Sequence, residues 1–391
     1  MDLKELAERE GVNWRALEKE VCAGRAVVLL HKNKPAVALS RLCSTKINTN
    51  LGISAENGVQ KEMRKLRIAE KHGTDTVMDL SICDTDSTLR EFLNRSKVPV
   101  GTVPIYRCEP ETCTDEDFLR AIESHASIGA SFMTIHAAMK KKAAEFAIRK
   151  RVTKIVSRGG GILAQYMLEK KCENPLYRNF DAILDMLRGT EIGISLGDAL
   201  RPGCIADAND RAQISELRVQ GELVLRARKA GVQVFCEGPG HMPLDTIVAN
   251  VRLQKKLCHG APYYVLGPLV TDSALGYDHI SATVGATIAA HAGVEFLCAL
   301  TPSEHYALPN EDDIREGVVA FRIAAHAADV ARGRKEAVSR DLALSRARFG
   351  LDWRKQEELS VTGKKVCAGN GAPCSMCRGM CPMKRMAKFS K

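Results

Sequence analysis

The chain predicts an α/β fold: a (β/α)8 barrel with a small N-terminal helical segment and a C-terminal helical arm. Two observations carry this expectation. Short β-type runs alternate with longer helical stretches over most of the 391 residues, and nearly every run ends in polar side chains. Such alternation implies parallel strands joined by crossover helices. In a barrel the C-terminal strand ends meet on one face, where those polar residues converge.

Residues 1–45 form the helical segment. LKELAERE and WRALEKEVCAG have helical character, the second stopped by Gly24. Residues 46–310 hold the barrel. Its β-type runs are KINTN, DTVMDLS, GTVPIY, SFMTIH, TKIVSRG, IGISLGD, VQVFCEG, YYVLGP and EFLCAL, separated by stretches such as GVQKEMRKLRIAEKHG and RAQISELRVQGELVLRARKAG. Nine runs give eight strands when KIVSRG is assigned to a loop. An open doubly wound sheet fits less well, because no Gly-x-Gly-x-x-Gly follows an early strand. Residues 311–365 are again helical. The Gly/Lys-rich stretch VTGKKVCAGNGAP then leads into a cysteine arm over 366–391.

Composition narrows the function. The apolar share of 45% and charged share of 27% are those of a globular chain. No run approaches the ~18 apolar residues of a membrane span. The charged N-terminus is unlike a secretory signal, so a cytoplasmic address without membrane contact is expected. A net charge of +10 raises nucleic acid as a partner, but the basic residues are dispersed among 47 acidic ones and aromatics are only 5%. That balance argues against nucleic acid and suits a phosphorylated metabolite.

Polar residues mark the strand ends. Asn50 closes KINTN, Met78 lies in DTVMDLS, Tyr106 closes GTVPIY and His136 closes SFMTIH. Ser157-Arg158-Gly159-Gly160-Gly161 precedes a helical stretch. Its glycines let amides curl toward an anion, and Arg158 can fork onto phosphate. Asp198-Ala199-Leu200-Arg201 is a strand-end turn with paired charges, equally suited to a structural ion pair. Glu237 and His241 flank the stiff segment Gly238-Pro239-Gly240, and His305 follows EFLCALTPSE. His241 and His305 are candidate ligands for zinc or iron, with His279 a competitor and a structural role open to all three.

Cys374, Cys377 and Cys381 lie close enough in sequence for one loop to wrap a metal centre. With Cys367 as a fourth ligand they would make a zinc knuckle. Three thiolates alone would suit a [4Fe–4S] cluster with one open iron, able to chelate S-adenosylmethionine. Spacing leaves zinc and cluster both open.

The assembled motifs KINTNLGIS, GTDTVMDLS, VPVGTVPIY, IVSRGG, SLGDALRPGCIADANDRAQ, EGPGHMP, YYVLGPLVTD, GYDHI, LTPSEHYALPN and CSMC closely resemble the phosphomethylpyrimidine synthase (ThiC) family of radical S-adenosylmethionine enzymes. The resemblance runs from about Lys46 to Trp353 and resumes at the cysteines. It implies a lyase that rearranges 5-aminoimidazole ribotide to the hydroxymethylpyrimidine phosphate of thiamine, releasing formate and carbon monoxide. It further implies a [4Fe–4S] cluster on Cys374, Cys377 and Cys381, and a second divalent metal, Zn or Fe, on His241 and His305. A homodimer is implied in which the arm reaches the partner's site, served by an electron donor such as flavodoxin or ferredoxin. The implied substrate contacts are Asn50, Met78, Tyr106, His136, Ser157, Arg158, Gly159, Asp198, Ala199, Leu200, Arg201, Glu237 and Tyr264, with Glu237 also counted as catalytic.

The chain departs from the family pattern in places. Three residues rather than four separate the last two cysteines, Ala199 stands where glycine is expected, and Ala138 and Leu275 replace glycine and proline. These changes keep in view a paralogue, 5-hydroxybenzimidazole synthase, which uses the same substrate, and a non-catalytic zinc-binding scaffold.

Overall fold

The computed structural model describes residues 3–32, 34–54, 56–365 and 369–389. Eight parallel strands close into a ring: β3 (Lys46–Leu51), β4 (Thr76–Asp79), β5 (Val100–Thr102), β6 (Phe132–Ile135), β7 (Gly193–Leu196), β8 (Val234–Gly238), β9 (Tyr263–Leu266) and β10 (Phe296–Ala299), with β10 pairing back onto β3. Every barrel strand is buried along almost its whole length, which is why each reads as a short apolar run with a polar end. The expected barrel is therefore present, strand for strand.

The extra β-type run TKIVSRG, residues 153–159, pairs with no strand. Lys154 has a φ of 60°, which breaks extended geometry. Ser157 instead caps the helix Arg158–Glu169, its side chain accepting from the Gly160 N–H.

The N-terminal segment holds the helices Leu3–Arg9 and Trp14–Cys22, the second capped by Asn13. A feature the sequence reading missed follows them: an antiparallel pair, β1 (Val27–Leu29) and β2 (Val37–Leu39). At three residues each, these strands are too short to show a period. The buried ion pair Lys46–Glu10 (2.6 Å) fastens this segment to the base of β3.

At the barrel's centre the rings of Tyr264 and Phe296 stack at 4.3 Å between centroids, and Phe235 meets Phe296 at 5.9 Å. A Cβ on Gly101 would lie 2.3 Å from the Phe132 ring, so glycine there makes room for this aromatic floor. Outside the ring, the 20-residue helix Arg211–Ala230 starts at its cap Asp210 and stops at Gly231, whose φ is 74°. Arg151 binds Asp210 through two nitrogens at 2.8 Å and reaches the Arg201 carbonyl at 3.2 Å, locking helix start to strand-end turn.

The helix Glu311–Ala331 packs on β3, β10 and the helix Asp278–Ala292. Helices Lys335–Phe349 and Trp353–Leu359 follow. The segment before the cysteines folds back on them: Trp353 Nε1 donates to the Ala372 carbonyl at 2.8 Å, and the Gly371 N–H to that of Leu351 at 3.0 Å. Among the described residues no helix is long and apolar enough to cross a membrane.

Candidate active site

Above the aromatic floor the barrel interior turns polar. Alternate residues of a strand share a face, so Asn48 and Asn50 point inward together. Asn48 Nδ2 donates to Asn50 Oδ1 and to the Tyr264 hydroxyl, both at 2.9 Å, while Thr76 donates to Asn48 Oδ1 at 2.8 Å. Asn50 Nδ2 points at Cys298 Sγ at 3.2 Å. Across the ring, Glu237 Oε1 accepts from Thr134 (2.8 Å) and Ser195 (2.7 Å). Two fixed hydroxyls thus orient the deepest carboxylate of the mouth.

A cavity of about 70 Å³ opens on this layer, lined among others by Asn50, Met78, Tyr106, His136, Asp198, Arg201, Glu237 and Tyr264. These eight come from seven different strand ends, so the barrel brings together most of the residues the sequence singled out. A second cavity of about 330 Å³ shares Asn50 and Leu80 with the first and adds Glu62, Lys65, Arg158 and Glu304. Arg158 stands between the two. Its guanidinium carbon lies 4.9 Å from the centre of the Tyr106 ring, and it donates to the Leu80 carbonyl at 3.3 Å.

His136 is held by fit. A Cβ on Gly159 would lie 2.5 Å from its ring and one on Gly197 2.7 Å, so two glycines grip the imidazole from two sides. Its Nε2 is 3.4 Å from the Ser157 hydroxyl, and Nδ1 has no partner among the described residues. Burial, aided by the Arg201 charge, holds its pKa down at about 3, so the ring is neutral. Ser157 and Gly159 therefore stand behind His136. Ala199 and Leu200 are fully buried and line neither cavity. The Leu200 N–H is taken by Glu216 at 2.8 Å. The methyl of Ala199, one of the departures from the family pattern, is thus spent inside the wall.

The acids of the mouth are starved of water. Burial pushes Asp198 up to about 7 against the opposing pull of Arg201, whose Nη1 is 2.9 Å from Oδ1. Burial also raises Glu237, although its two hydroxyl donors favour the carboxylate. Cys298 is pushed up to about 12 and is a thiol, not a thiolate.

On the loops beyond β8 and β10, His241 Nε2 and His305 Nε2 face each other at 3.3 Å. Each ring turns its other nitrogen to a carboxylate: His241 Nδ1 to Asp272 at 2.8 Å and His305 Nδ1 to Asp278 at 3.2 Å. The Ile205 N–H fixes Asp272 at 2.9 Å. Carboxylates that take the δ protons leave two ε lone pairs converging on one point. Metal–nitrogen bonds of about 2.0–2.1 Å at a tetrahedral angle separate two such nitrogens by about 3.4 Å. The donor set fits a divalent cation. His279, the competitor, has no partner on Nδ1 and does not join them.

Cys374, Cys377 and Cys381 follow one another through a tight turn and the short helices Arg378–Met380 and Pro382–Met386. The N–H groups of Cys377 and Met376 hold the Cys374 thiol below its ordinary value, as a metal-binding thiolate requires. Cys381 is buried and the other two are half-buried. Among the described residues, no group of three or more His, Cys, Asp or Glu is drawn tightly enough together to hold a metal. Cys367 lies outside the described residues.

Sequence reasoning passed over Asn48, Thr134, Ser195, Cys298, Asp272, Asp278 and Glu216. Counting back by two from Asn50 and His136 along their strands finds Asn48 and Thr134. The two aspartates and Glu216 gave no such cue, since acids on loops and helices are ordinary.

Compared with known proteins, residues 1–388 match the radical SAM ThiC family. The chain is 45% identical over 410 residues to a phosphomethylpyrimidine synthase of Thermoanaerobacter sp. (strain X514), covering 99% of this chain and 95% of the relative. Its identity to the same-named protein of Moorella thermoacetica is 45% over 409 residues, with coverage again 99% and 95%. Among solved structures, a dihydropteroate synthase of Xanthomonas albilineans aligns with a TM-score of 0.45 at 13% identity, covering 79% of this chain and 99% of that one.

Proposed function

Because this chain belongs to the radical SAM ThiC family, we propose that its strand-end cavity binds 5-aminoimidazole ribotide. The protein is an enzyme of thiamine biosynthesis, a radical S-adenosylmethionine lyase of the phosphomethylpyrimidine synthase type. The relatives favour the pyrimidine product over the benzimidazole alternative. One observation carries the pocket assignment: eight side chains from seven strand ends, seven of them polar or aromatic, line a single cavity over an aromatic floor.

Arg158, next to the N-terminus of a helix, takes the substrate phosphate. Glu237, oriented by Thr134 and Ser195, anchors the amino-bearing ring, and neutral His136 offers one donor and one acceptor. The larger neighbouring cavity gives S-adenosylmethionine its space. The family implies an iron–sulfur cluster and S-adenosylmethionine; Cys374, Cys377 and Cys381 would hold the cluster. Once bound, it supplies an electron that cleaves S-adenosylmethionine to a 5′-deoxyadenosyl radical. His241 and His305 would hold the second divalent metal, zinc or iron, with Asp272 and Asp278 fixing their rings.

We further infer a homodimer in which each arm serves the partner's pocket, a flavodoxin- or ferredoxin-like reductant, and a cytoplasmic setting. Exposed apolar side chains support the dimer on both surfaces it would join: Leu275, Tyr277 and Tyr306 at the barrel mouth, Met376, Met380 and Phe389 on the arm.

Anaerobic turnover of 5-aminoimidazole ribotide with product identification tests the reading. A phosphorylated aminopyrimidine is expected. A fluorescent benzimidazole, or protein carrying zinc without acid-labile sulfide, would overturn it.

A further inference from the structure

Behind the pocket wall lies a third, very small space. It measures about 10 Å³ and is bounded by Asp198, Arg201, Glu237, Gly238 and Tyr263 on the barrel side and by Gln213, Glu216 and Gln220 on the helix Arg211–Ala230. That is close to the smallest space that admits one water molecule. Two buried carboxyl oxygens of residues lining it, Asp198 Oδ2 and Glu216 Oε1, have no hydrogen-bond partner among the described residues. The other oxygen of each acid is engaged: Asp198 Oδ1 by Arg201 at 2.9 Å, Glu216 Oε2 by the Leu200 N–H at 2.8 Å.

Charge balance decides how two such acids coexist. Glu216, Asp198 and Glu237 share this region with Arg201 and, farther out, Arg151. Arg151 is already satisfied by Asp210 through two bonds. Tyr263 is neutral, and its hydroxyl donates to Asn250 at 3.1 Å. One free guanidinium cannot balance three buried carboxylates, so at least one keeps its proton. Asp198 has the direct bond to Arg201 and is the acid that ionises first, above about pH 7. Glu216, with an amide on one oxygen, has the other free to carry hydrogen.

We propose that Glu216 is a positioning residue: as a neutral acid it donates from Oε1, through one water in this space, to Asp198 Oδ2, and so holds Asp198 ionised against Arg201 beside the substrate. Burial, followed by the Asp198 charge, pushes the Glu216 carboxyl well above its ordinary range, in keeping with this role. Its reach to the Leu200 amide fixes the same turn through the backbone. The inference rests on the reading that substrate occupies the cavity lined by Asp198 and Arg201.

The test uses anaerobically purified, cluster-loaded protein without S-adenosylmethionine. At pH 8, above the value of about 7 at which Asp198 ionises, infrared spectroscopy of the wild-type protein should show the carbonyl band of a protonated buried carboxylic acid, lost in Glu216→Gln and kept in Asp198→Asn. Glu216→Gln, a permanent donor of the same shape, should bind 5-aminoimidazole ribotide within about twofold of wild type, without the loss of affinity at alkaline pH that deprotonation of Glu216 should cause in the wild type. Glu216→Leu, lacking donor and acceptor, should bind about tenfold more weakly. A band lost in Asp198→Asn but kept in Glu216→Gln would overturn the proposal, as would a Glu216→Gln defect equal to that of Glu216→Leu. If wild-type protein bound no 5-aminoimidazole ribotide, the pocket reading would fall, while the infrared bands would still decide where the proton sits.

Discussion

Glu237 shows how much of the chemistry rests on single side chains. It is buried and bears two hydroxyl donors on one oxygen, so its carboxyl is fixed before anything binds. Glu237→Gln keeps the shape and removes the charge. Hydrogen bonds to a charged group are worth about 1.5–3 kcal/mol, so kcat/KM should fall by roughly ten- to 150-fold while Tm stays near wild type; anaerobic steady-state kinetics and calorimetry measure both. Asp198 gives a pH signature. Its folded value near 7 exceeds the unfolded carboxylate value, so below about pH 7 the folded state retains a proton that the unfolded state releases, and only above it is Asp198 the ionised partner of Glu216. That contribution is full below about pH 4 and is lost as pH rises to about 7. Asp198→Asn lacks it. The variant should therefore gain stability relative to wild type between pH 5 and 7, in urea titrations, with the difference constant above that range.

At the scale of elements, the turn into the helix Arg158–Glu169 is the tightest part of the wall. Gly159→Ala would force a methyl to within 2.5 Å of the His136 ring. Overpacking of this kind costs about 1–3 kcal/mol, so a lower Tm and weaker substrate binding are expected together. Gly161→Ala on the same turn meets nothing and should leave both unchanged. This turn was also where composition alone pointed the wrong way and the strand count set it right. TKIVSRG has strand composition, yet the positive φ of Lys154 and the cap at Ser157 make it a loop. The eight true strands were legible because a parallel sheet buried on both faces leaves runs of apolar residues with polar ends. The β1–β2 pair was not, since three-residue strands carry no period. Nor was the partnership of Glu216 with Asp198, because a buried acid on a long helix looks like any surface glutamate until its neighbours are placed.

For the whole molecule, the separation between barrel and arm makes a prediction about assembly. Cys377→Ala should abolish iron and sulfide uptake yet leave the barrel's circular dichroism and Tm intact, because the cysteines lie on the arm and contribute nothing to the ring's core. If each arm serves the partner's pocket, Cys377→Ala and Glu237→Gln protein are each deficient but complementary. Refolding them together should restore about a quarter of wild-type activity, since random pairing of two subunits gives half heterodimers with one intact site each. Recovery no greater than the sum of the two variants alone would show that each arm serves its own barrel.

The seam between β10 and β3 sets an order in time. These neighbours are the last and first strands of the ring, with Phe296 registered against Lys46 and Ala299 against Thr49. On the ribosome, β3 waits for its second neighbour until some 250 residues more have been added, roughly 12–50 s at 5–20 residues/s. Until then Asn50 lacks Cys298 beside it and the cavity has no closing wall. The cysteine turn emerges later still. Nascent chains are therefore dependent on protection of an open sheet for most of their synthesis, and metal loading is a late event in the life of each molecule.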